Sequence, residues 1–405
     1  MKSPHCFVSL LLCASLLLSA FSGTALATES ASVFEFEYAF EDYWYDDEIP
    51  AALVGDFPVR SALLMEAESG RILFQKDENK PVPIASVTKV MVTLLIMEAI
   101  DSGRVSMDEE VTVSERAASM GGSQVYLEPG EEMKCEDLLK SVIIASANDA
   151  AVTLAERVSG SVQAFVVRMN ERAKELGMES SSFENPTGLD DNVTNHVTSA
   201  YDIALMSREL LKHKKILEYT SIWMDTIRDG AFGLTNTNRL IRFYSGATGL
   251  KTGSTSKAKF CISATAERDG MHLIAVIMGA PTRDVRNEAA KTLLDWGFAN
   301  YFVYNDGGAD AGNVRVTGGV NETCACRYGE FSALLESSKR GRITVETELP
   351  EELAAPIAEG DCVGRVIYKC GDETVGEGGI FAAEGVAKIS YGGILMRIIR
   401  SFLLI

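Results

Sequence analysis

Histidine and cysteine are scarce in this chain, and their scarcity excludes two classes of protein. Four histidines and eight cysteines are spread over 405 residues. A disulfide-stapled scaffold needs a far higher density of cysteine. Cys324-Ala325-Cys326 alternates as on a strand, both thiols to one side, with no histidine cluster beside them. A metal site is therefore not expected, and cysteine pairing stays open. Positive charge is scarce too: 38 Lys and Arg against 57 Asp and Glu leave a formal charge of −19. With that balance, and no basic stripe interleaved with aromatics, nucleic acid is not an expected partner. No metal and no cofactor is expected.

What is present begins with an export signal. Lys2, an apolar run from Phe7 to Leu18 and the small-residue end Ala25-Leu26-Ala27 make residues 1–27 a cleaved secretory signal. Bulky Leu12 before Cys13 argues against lipid attachment there. Cleavage leaves six cysteines: Cys135, Cys261, Cys324, Cys326, Cys362 and Cys370. Residues 28–58 include "EFEYAFEDYWYDDE", an acidic, aromatic leader read as soluble and disordered.

The folded body opens with a hairpin around Glu68-Ser69-Gly70. Pro81 and Pro83 bar a regular element before Ser86, so a helix is expected over 86–101, apolar almost all round and hence buried. Helices are expected at 137–145, 149–158, 161–176, 200–212 and 284–298, with strands at 240–252, 258–267 and 271–279. Helices bracketed by hairpins, without a repeated strand–helix unit, argue for an α+β domain in which helices pack on an antiparallel sheet. That domain is assigned to 59–308. The loose stretch "NDGGADA" marks its end, a small all-β domain follows over 309–387, and an amphipathic helix closes the chain over 388–405. The twelve residues from Ile394 to Ile405 reach roughly 18 Å as a helix, too short to cross a bilayer. They suit its surface, with Arg397 and Arg400 toward anionic head groups.

Three short motifs carry chemistry. Ser86-Val87-Thr88-Lys89 opens the buried helix, Ser146-Ala147-Asn148 sits at a helix break, and Lys251-Thr252-Gly253 lies on a strand before a hairpin. A serine with lysine at +3, or a Ser-x-Asn, arises by chance about once in a chain of this length, so neither alone means much. Taken alone, Ser86 and Lys89 read as a helix cap and a solvated first-turn lysine. In this order and these contexts, the three match a general signature of penicillin-interacting serine enzymes.

On these motifs, and on "SALLMEAESGRILFQKDENKPVPIASVTKV", "IIASANDAAVTLAE", "SSFENPTGLDDNVTNHVTS" and "GATGLKTGSTSKAKFCISATAERDG", the chain resembles the D-alanyl-D-alanine carboxypeptidases of the low-molecular-weight penicillin-binding proteins. The resemblance runs from about residue 60 to the end. It implies a beta-lactamase/transpeptidase-like catalytic domain. It also implies removal of the terminal D-alanine from peptidoglycan stem pentapeptides, acylation by beta-lactam antibiotics, and residence on the outer face of the cytoplasmic membrane through the C-terminal helix.

The same resemblance distributes roles. Ser86 is the expected nucleophile, activated by Lys89 one helical turn on, which serves as base if burial and a second cation keep it neutral. Lys251 is the candidate second cation, and with Thr252 it would bind the substrate carboxylate. Ser146 looks like the relay that returns the proton to the leaving amine, with Asn148 holding Lys89 and the substrate amide. Backbone N–H groups of Ser86 and Ser254 would stabilise the oxyanion, and Gly253 would let the strand come close. Arg286 matches an arginine that binds the terminal carboxylate in relatives, its alternative being a surface salt bridge. His196 is expected to shape a loop rather than to catalyse. Two departures stand out: relatives usually carry glycine where Lys259 stands, and often a residue larger than Ser254 after the Lys-Thr-Gly. A beta-lactamase would need a deacylating glutamate that "SSFENPTGLD" does not space correctly. D-alanyl endopeptidase action on cross-linked stems, or an inert wall-binding protein, are the remaining rivals.

Overall fold

The computed structural model describes residues 58–403, apart from Asn192 and Gly307. The expected signal segment and all but the end of the acidic leader lie outside the described residues. Strands β1 (Ser61–Glu66) and β2 (Ile72–Lys76) form the expected hairpin. They join β3 (Ala247–Thr255), β4 (Lys259–Arg268) and β5 (Met271–Ala280) in an antiparallel sheet of order β2-β1-β5-β4-β3. Every residue of β1 is buried because the sheet is covered on both faces. Leu63 and Met65 face one core with α1 (Lys89–Asp101), α2 (Cys135–Ile143), α3 (Asn148–Ser159), α4 (Val162–Glu175) and α5 (Ala200–Lys212). Ala62 and Leu64 face the other, where α6 (Arg283–Asn300) contributes Ala289, Ala290, Leu293 and Leu294. Side-chain caps start three of these helices: Ser161, Ser199 and Thr282 each accept from the N–H three residues on.

Two local expectations are corrected. The element at 86–101 starts as a tight 3-10 turn, Ala85–Thr88, before the α-helix proper begins at Lys89. Ala85, the first residue of that turn, takes a left-handed φ of 52°. Residues 240–243 are a short helix rather than the start of a strand, because Asn238 Oδ1 accepts from Leu240 N–H at 3.1 Å and turns the chain. The strand begins at Ala247.

After α6 the chain is mainly β as far as Ala382. Tyr301–Asn305 pairs with Ser332–Glu336. A six-stranded sheet is built from β6 (Asp310–Thr317), β7 (Thr323–Tyr328), β8 (Ile343–Glu348), β9 (Glu352–Ala354), β10 (Cys362–Cys370) and β11 (Glu373–Ala382), in the order β8-β10-β11-β7-β6-β9. Cys324 and Cys326 are buried in its two small cores, and all six described cysteines are free thiols. Helix α7 (Tyr391–Leu403) keeps Ile394, Leu395, Ile398, Phe402 and Leu403 exposed. Its Arg397 does not point freely outward as expected: it donates to the carbonyls of Gly319 (3.2 Å) and Val320 (2.8 Å) and lies 3.7 Å from Glu322. No helix among the described residues is long and apolar enough to cross a membrane.

Candidate active site

The 3-10 turn carrying Ser86 lies against β3, and glycine is required where they meet. A Cβ on Gly253 would fall 2.8 Å from Ile84 O, Ser86 N and Val87 N. The same closeness places Ser254 beside Ser86 on the wall of a cleft of about 680 Å³. Ser146, Thr252, Gly253 and Arg286 line that cleft too. Lys89, Asn148 and Lys251 are buried behind it. All nine residues singled out from the sequence thus converge on one place.

Lys89 Nζ is completely buried and has three neighbours: Asn148 Oδ1 at 2.5 Å, Thr187 O at 3.1 Å and Ser86 Oγ at 3.2 Å. Asn148 is itself pinned, its Nδ2 donating to Gly121 O at 2.7 Å, so its oxygen faces the lysine. Two of the three neighbours can only accept. A neutral amine satisfies both with its two hydrogens and leaves its lone pair toward the Ser86 hydroxyl. The neutral form is favoured: burial, and then the charge of Lys251, hold the Lys89 pKa well below the ordinary lysine value, with Asp149 pulling the other way. Lys251 is likewise lowered, to about 7, by burial and then by Arg286.

Three features of the site were not legible as motifs. The first is the Thr187 carbonyl, which also lies 3.4 Å from Ser86 Oγ. Asn185 Oδ1 folds that loop by accepting from Thr187 N and Gly188 N, and Gly188, at φ 80°, packs so close that a Cβ would lie 1.9 Å from Ala85 O. The second is Asp149, wholly buried and accepting from the N–H groups of Val125, Leu127 and Ala150, which fixes the start of α3 beside Asn148. The third is Thr237, whose Oγ1 accepts from Thr252 Oγ1 at 2.8 Å.

His196 sits behind the turn. Its Nδ1 accepts from Glu184 N–H at 3.0 Å, so Nε2 carries the proton and donates to Thr88 Oγ1 at 2.7 Å, and Thr88 in turn donates to Ala85 O. Burial lowers its pKa to about 4, against the pull of Glu184 and Asp190. Arg286 is not in a surface salt bridge: it is buried, donates to Asn287 Oδ1 from Nε (3.1 Å) and Nη2 (2.8 Å), and has its pKa lowered to about 10 by burial and then by Arg283. Ser146 holds a left-handed φ of 62° and Lys259 one of 60°, a conformation in which glycine is relaxed and lysine is strained.

The family model for D-alanyl-D-alanine carboxypeptidase matches residues 50–282, and that for the C-terminal domain of penicillin-binding protein 5 matches 328–388. The D-alanyl-D-alanine carboxypeptidase DacF of Bacillus subtilis is 41% identical over 347 residues, covering 84% of this chain and 88% of its own. DacA of Haemophilus influenzae is 31% identical over 343 residues, 79% of this chain and 86% of its own. Among solved structures, penicillin-binding protein 5 from Haemophilus influenzae superposes with a TM-score of 0.65 at 28% identity, covering 82% of this chain and 98% of that one. Penicillin-binding protein D2 from Listeria monocytogenes, in an ampicillin-bound form, does so at 0.55 and 33%, covering 59% of this chain and 97% of that one. With its motifs assembled in one cleft and its relatives matched along most of their length, the chain belongs to the D-alanyl-D-alanine carboxypeptidases, a family of penicillin-binding proteins.

Proposed function

We propose that Ser86 is the nucleophile through which this serine-type D-alanyl-D-alanine carboxypeptidase removes the terminal D-alanine of a peptidoglycan stem pentapeptide. The observation that carries the reading is the buried Lys89 amine 3.2 Å from Ser86 Oγ, with two carbonyl-type acceptors claiming its hydrogens. Ser86 Oγ bonds to the penultimate D-alanyl carbonyl carbon as its proton passes to Lys89. The N–H groups of Ser86 and Ser254 carry the oxyanion, each such donor contributing about 3 kcal/mol in the transition state. The C–N bond then breaks, Ser146 passes a proton to the departing D-alanine amine, and water later hydrolyses the acyl-enzyme. Thr252, Lys251 and Arg286 receive the terminal carboxylate, and Asn148 orients Lys89 and the substrate amide. A beta-lactam enters the same way but leaves a slowly hydrolysed adduct, in keeping with the ampicillin-bound form of the Listeria relative.

The reading extends to organisation: a secretory signal over 1–27, an acidic leader over 28–58, a catalytic domain over 59–308 and a β domain over 309–387. The segment 388–405 holds the protein peripherally on the outer face of the cytoplasmic membrane. The exposed apolar face of α7 supports the last assignment. Deletion of 389–405 should release the protein from membranes without slowing turnover of soluble substrate, and unchanged sedimentation would refute it. The central test is D-alanine release from a pentapeptide ending in D-alanyl-D-alanine, together with fluorescent-penicillin labelling. Both should vanish in Ser86→Ala. Persistence of either would place the nucleophile elsewhere.

A further inference from the structure

The mouth of the cleft carries a cationic and aromatic rim that the proposed chemistry leaves idle. Trp223, Arg239, Phe243 and Arg283 line it, and no acidic residue does. Phe243 is 65% exposed, its ring edge-on to Trp223 with centroids 6.2 Å apart. Arg242 lies over both rings, 5.6 Å from the Trp223 centroid and 5.5 Å from that of Phe243. Arg239, Arg242 and Arg283 are exposed, and none makes an ion pair among the described residues. Asp284, next to Arg283 in the chain, is not among the residues that line the cleft. An exposed ring amid unpaired cations, in a chain of formal charge −19, suits a partner that is both aromatic and acidic. The D-alanyl-D-alanine end of a stem has methyl side chains and no ring, so it gives Phe243 and Trp223 nothing to stack on.

The chain itself contains such a partner. Residues 35–48 hold seven carboxylates and six aromatic rings in fourteen positions, with no lysine or arginine. The place where this segment joins the fold is close to the rim. Arg60 N–H donates to Met278 O at 2.8 Å, and the Arg60 side chain packs where a Cβ on Gly279 would stand. Gly279 N–H donates to Cys261 Sγ at 3.4 Å, and Cys261 pairs with Gly253. Arg60 and Gly253 are thus level with each other at one end of the sheet, three strand spacings or roughly 14 Å apart. Val59 is buried in the core that α6 shares, and the first turn of α6 bears Arg283. The ten residues from Glu48 to Pro58 reach up to about 33 Å when extended, more than twice that separation. Tethering at this range gives an effective concentration of about a millimolar, so a weak contact suffices.

We infer that residues 35–48 dock on the rim formed by Trp223, Arg239, Arg242, Phe243 and Arg283 of the same molecule, and so compete with substrate and beta-lactams for the mouth of the cleft. The carboxylates take the guanidinium groups, each fork able to hold one in two hydrogen bonds, and a ring of the leader stacks on Phe243. No bond is made or broken. Occupancy lowers the fraction of molecules whose Ser86 is accessible, and the apparent acylation rate falls by that fraction. The effect on rate rests on Ser86 as the nucleophile; the docking itself does not.

The test compares the full chain with a variant whose leader is neutralised by Glu41→Gln, Asp42→Asn, Asp46→Asn, Asp47→Asn and Glu48→Gln. The second-order rate of fluorescent-penicillin acylation should rise about threefold to tenfold in the variant. Salt at about 1 M, where the screening length is about 3 Å, should bring the native rate to the same level and leave the variant nearly unmoved. In an Arg239→Gln, Arg283→Gln background the leader substitutions should no longer change the rate, as for two sides of one contact. A fluorescent peptide of residues 35–48 should bind the leader-neutralised protein, read by anisotropy, and lose about tenfold or more in affinity when both arginines are replaced. Equal rates in native and leader-neutralised protein, or a leader effect that survives loss of both arginines, would overturn the inference. So would an effect that grows with protein concentration, which would mark the occupant as the leader of a second molecule. Absence of labelling in every variant would overturn the assignment of Ser86 instead, and peptide anisotropy would still decide the docking.

Discussion

Residues up to Asn300 bury Glu66, Lys89, Asp149, Asp202, Lys251 and Arg286, whereas among the described residues beyond Asn300 no charged side chain is buried. The later sheet holds its charges outside, as exposed cross-strand pairs: Arg365 with Glu348 at 2.8 Å and Glu377 at 3.2 Å, and Lys369 with Glu346 at 2.5 Å. Exposed pairs contribute little to stability, and buried charges destabilise unless every partner is in place. The catalytic region tolerates its load because two extensive cores flank one sheet. The β domain has only two small cores, around Tyr368 and around Val386, and carries no such load. What the difference teaches is that large cores carry two kinds of buried charge: the acids Glu66, Asp149 and Asp202 accept backbone N–H groups and hold the fold, whereas the buried cations Lys89, Lys251 and Arg286 all belong to the cleft.

Four changes probe that contrast. Lys89→Met should lower the rate of penicillin acylation by about a thousandfold or more, the loss expected of a proton acceptor acting with its nucleophile. Its melting temperature should fall by only a few degrees, because relief from burying an amine offsets two carbonyl acceptors left without a donor. A collapse of the fold instead would make Lys89 architectural. Gly188→Ala should destabilise the protein by about 2 kcal/mol or more in urea unfolding and slow acylation, because its Cβ meets Ala85 O at a backbone angle that favours glycine. Native stability in that variant would show that the Thr187 loop moves independently of the nucleophile turn.

His196 gives a pH window. Its folded pKa of about 4 lies below the ordinary value of 6.5, so its contribution is complete above pH 6.5 and is lost as pH falls toward 4. The loss should approach about 3 kcal/mol, and His196→Gln should flatten the urea-unfolding profile across that window. An unchanged profile would assign the acid sensitivity to other groups. The smallest effect is expected in the β domain: Lys369→Met should move the melting temperature by less than about 2 °C and leave acylation alone. A larger shift would mean that the exposed pairs act as a network.

The pairing of Ser86 with Lys89 and the strand motif beside it were legible because each is a short run of residues whose side chains come together. Ser86 and Lys89 lie one turn apart, and Lys251, Thr252 and Gly253 are adjacent. The antiparallel α+β arrangement was legible from periodicity in the hairpins and helices around them. The Thr187 carbonyl was not, since a backbone oxygen has no residue type, and it reaches Lys89 only because Asn185 and Gly188 fold the loop back. Residues 240–243 misled because a short apolar run suits strand and helix equally, and Asn238 decided between them. Arg239 and Arg283 carry no motif at all; only the folded cleft shows that they face the same space as Arg286.

Ser146 has a consequence for how this enzyme can vary. Chemically, threonine supplies the same hydroxyl, and the proton relay proposed for Ser146 has no need to distinguish the two. At a φ of 62°, however, the second substituent on a threonine Cβ collides with the backbone, and serine does not have that atom. The exchange that the reaction would accept is the one that the main chain refuses, so the identity of this residue is set by shape before it is set by function.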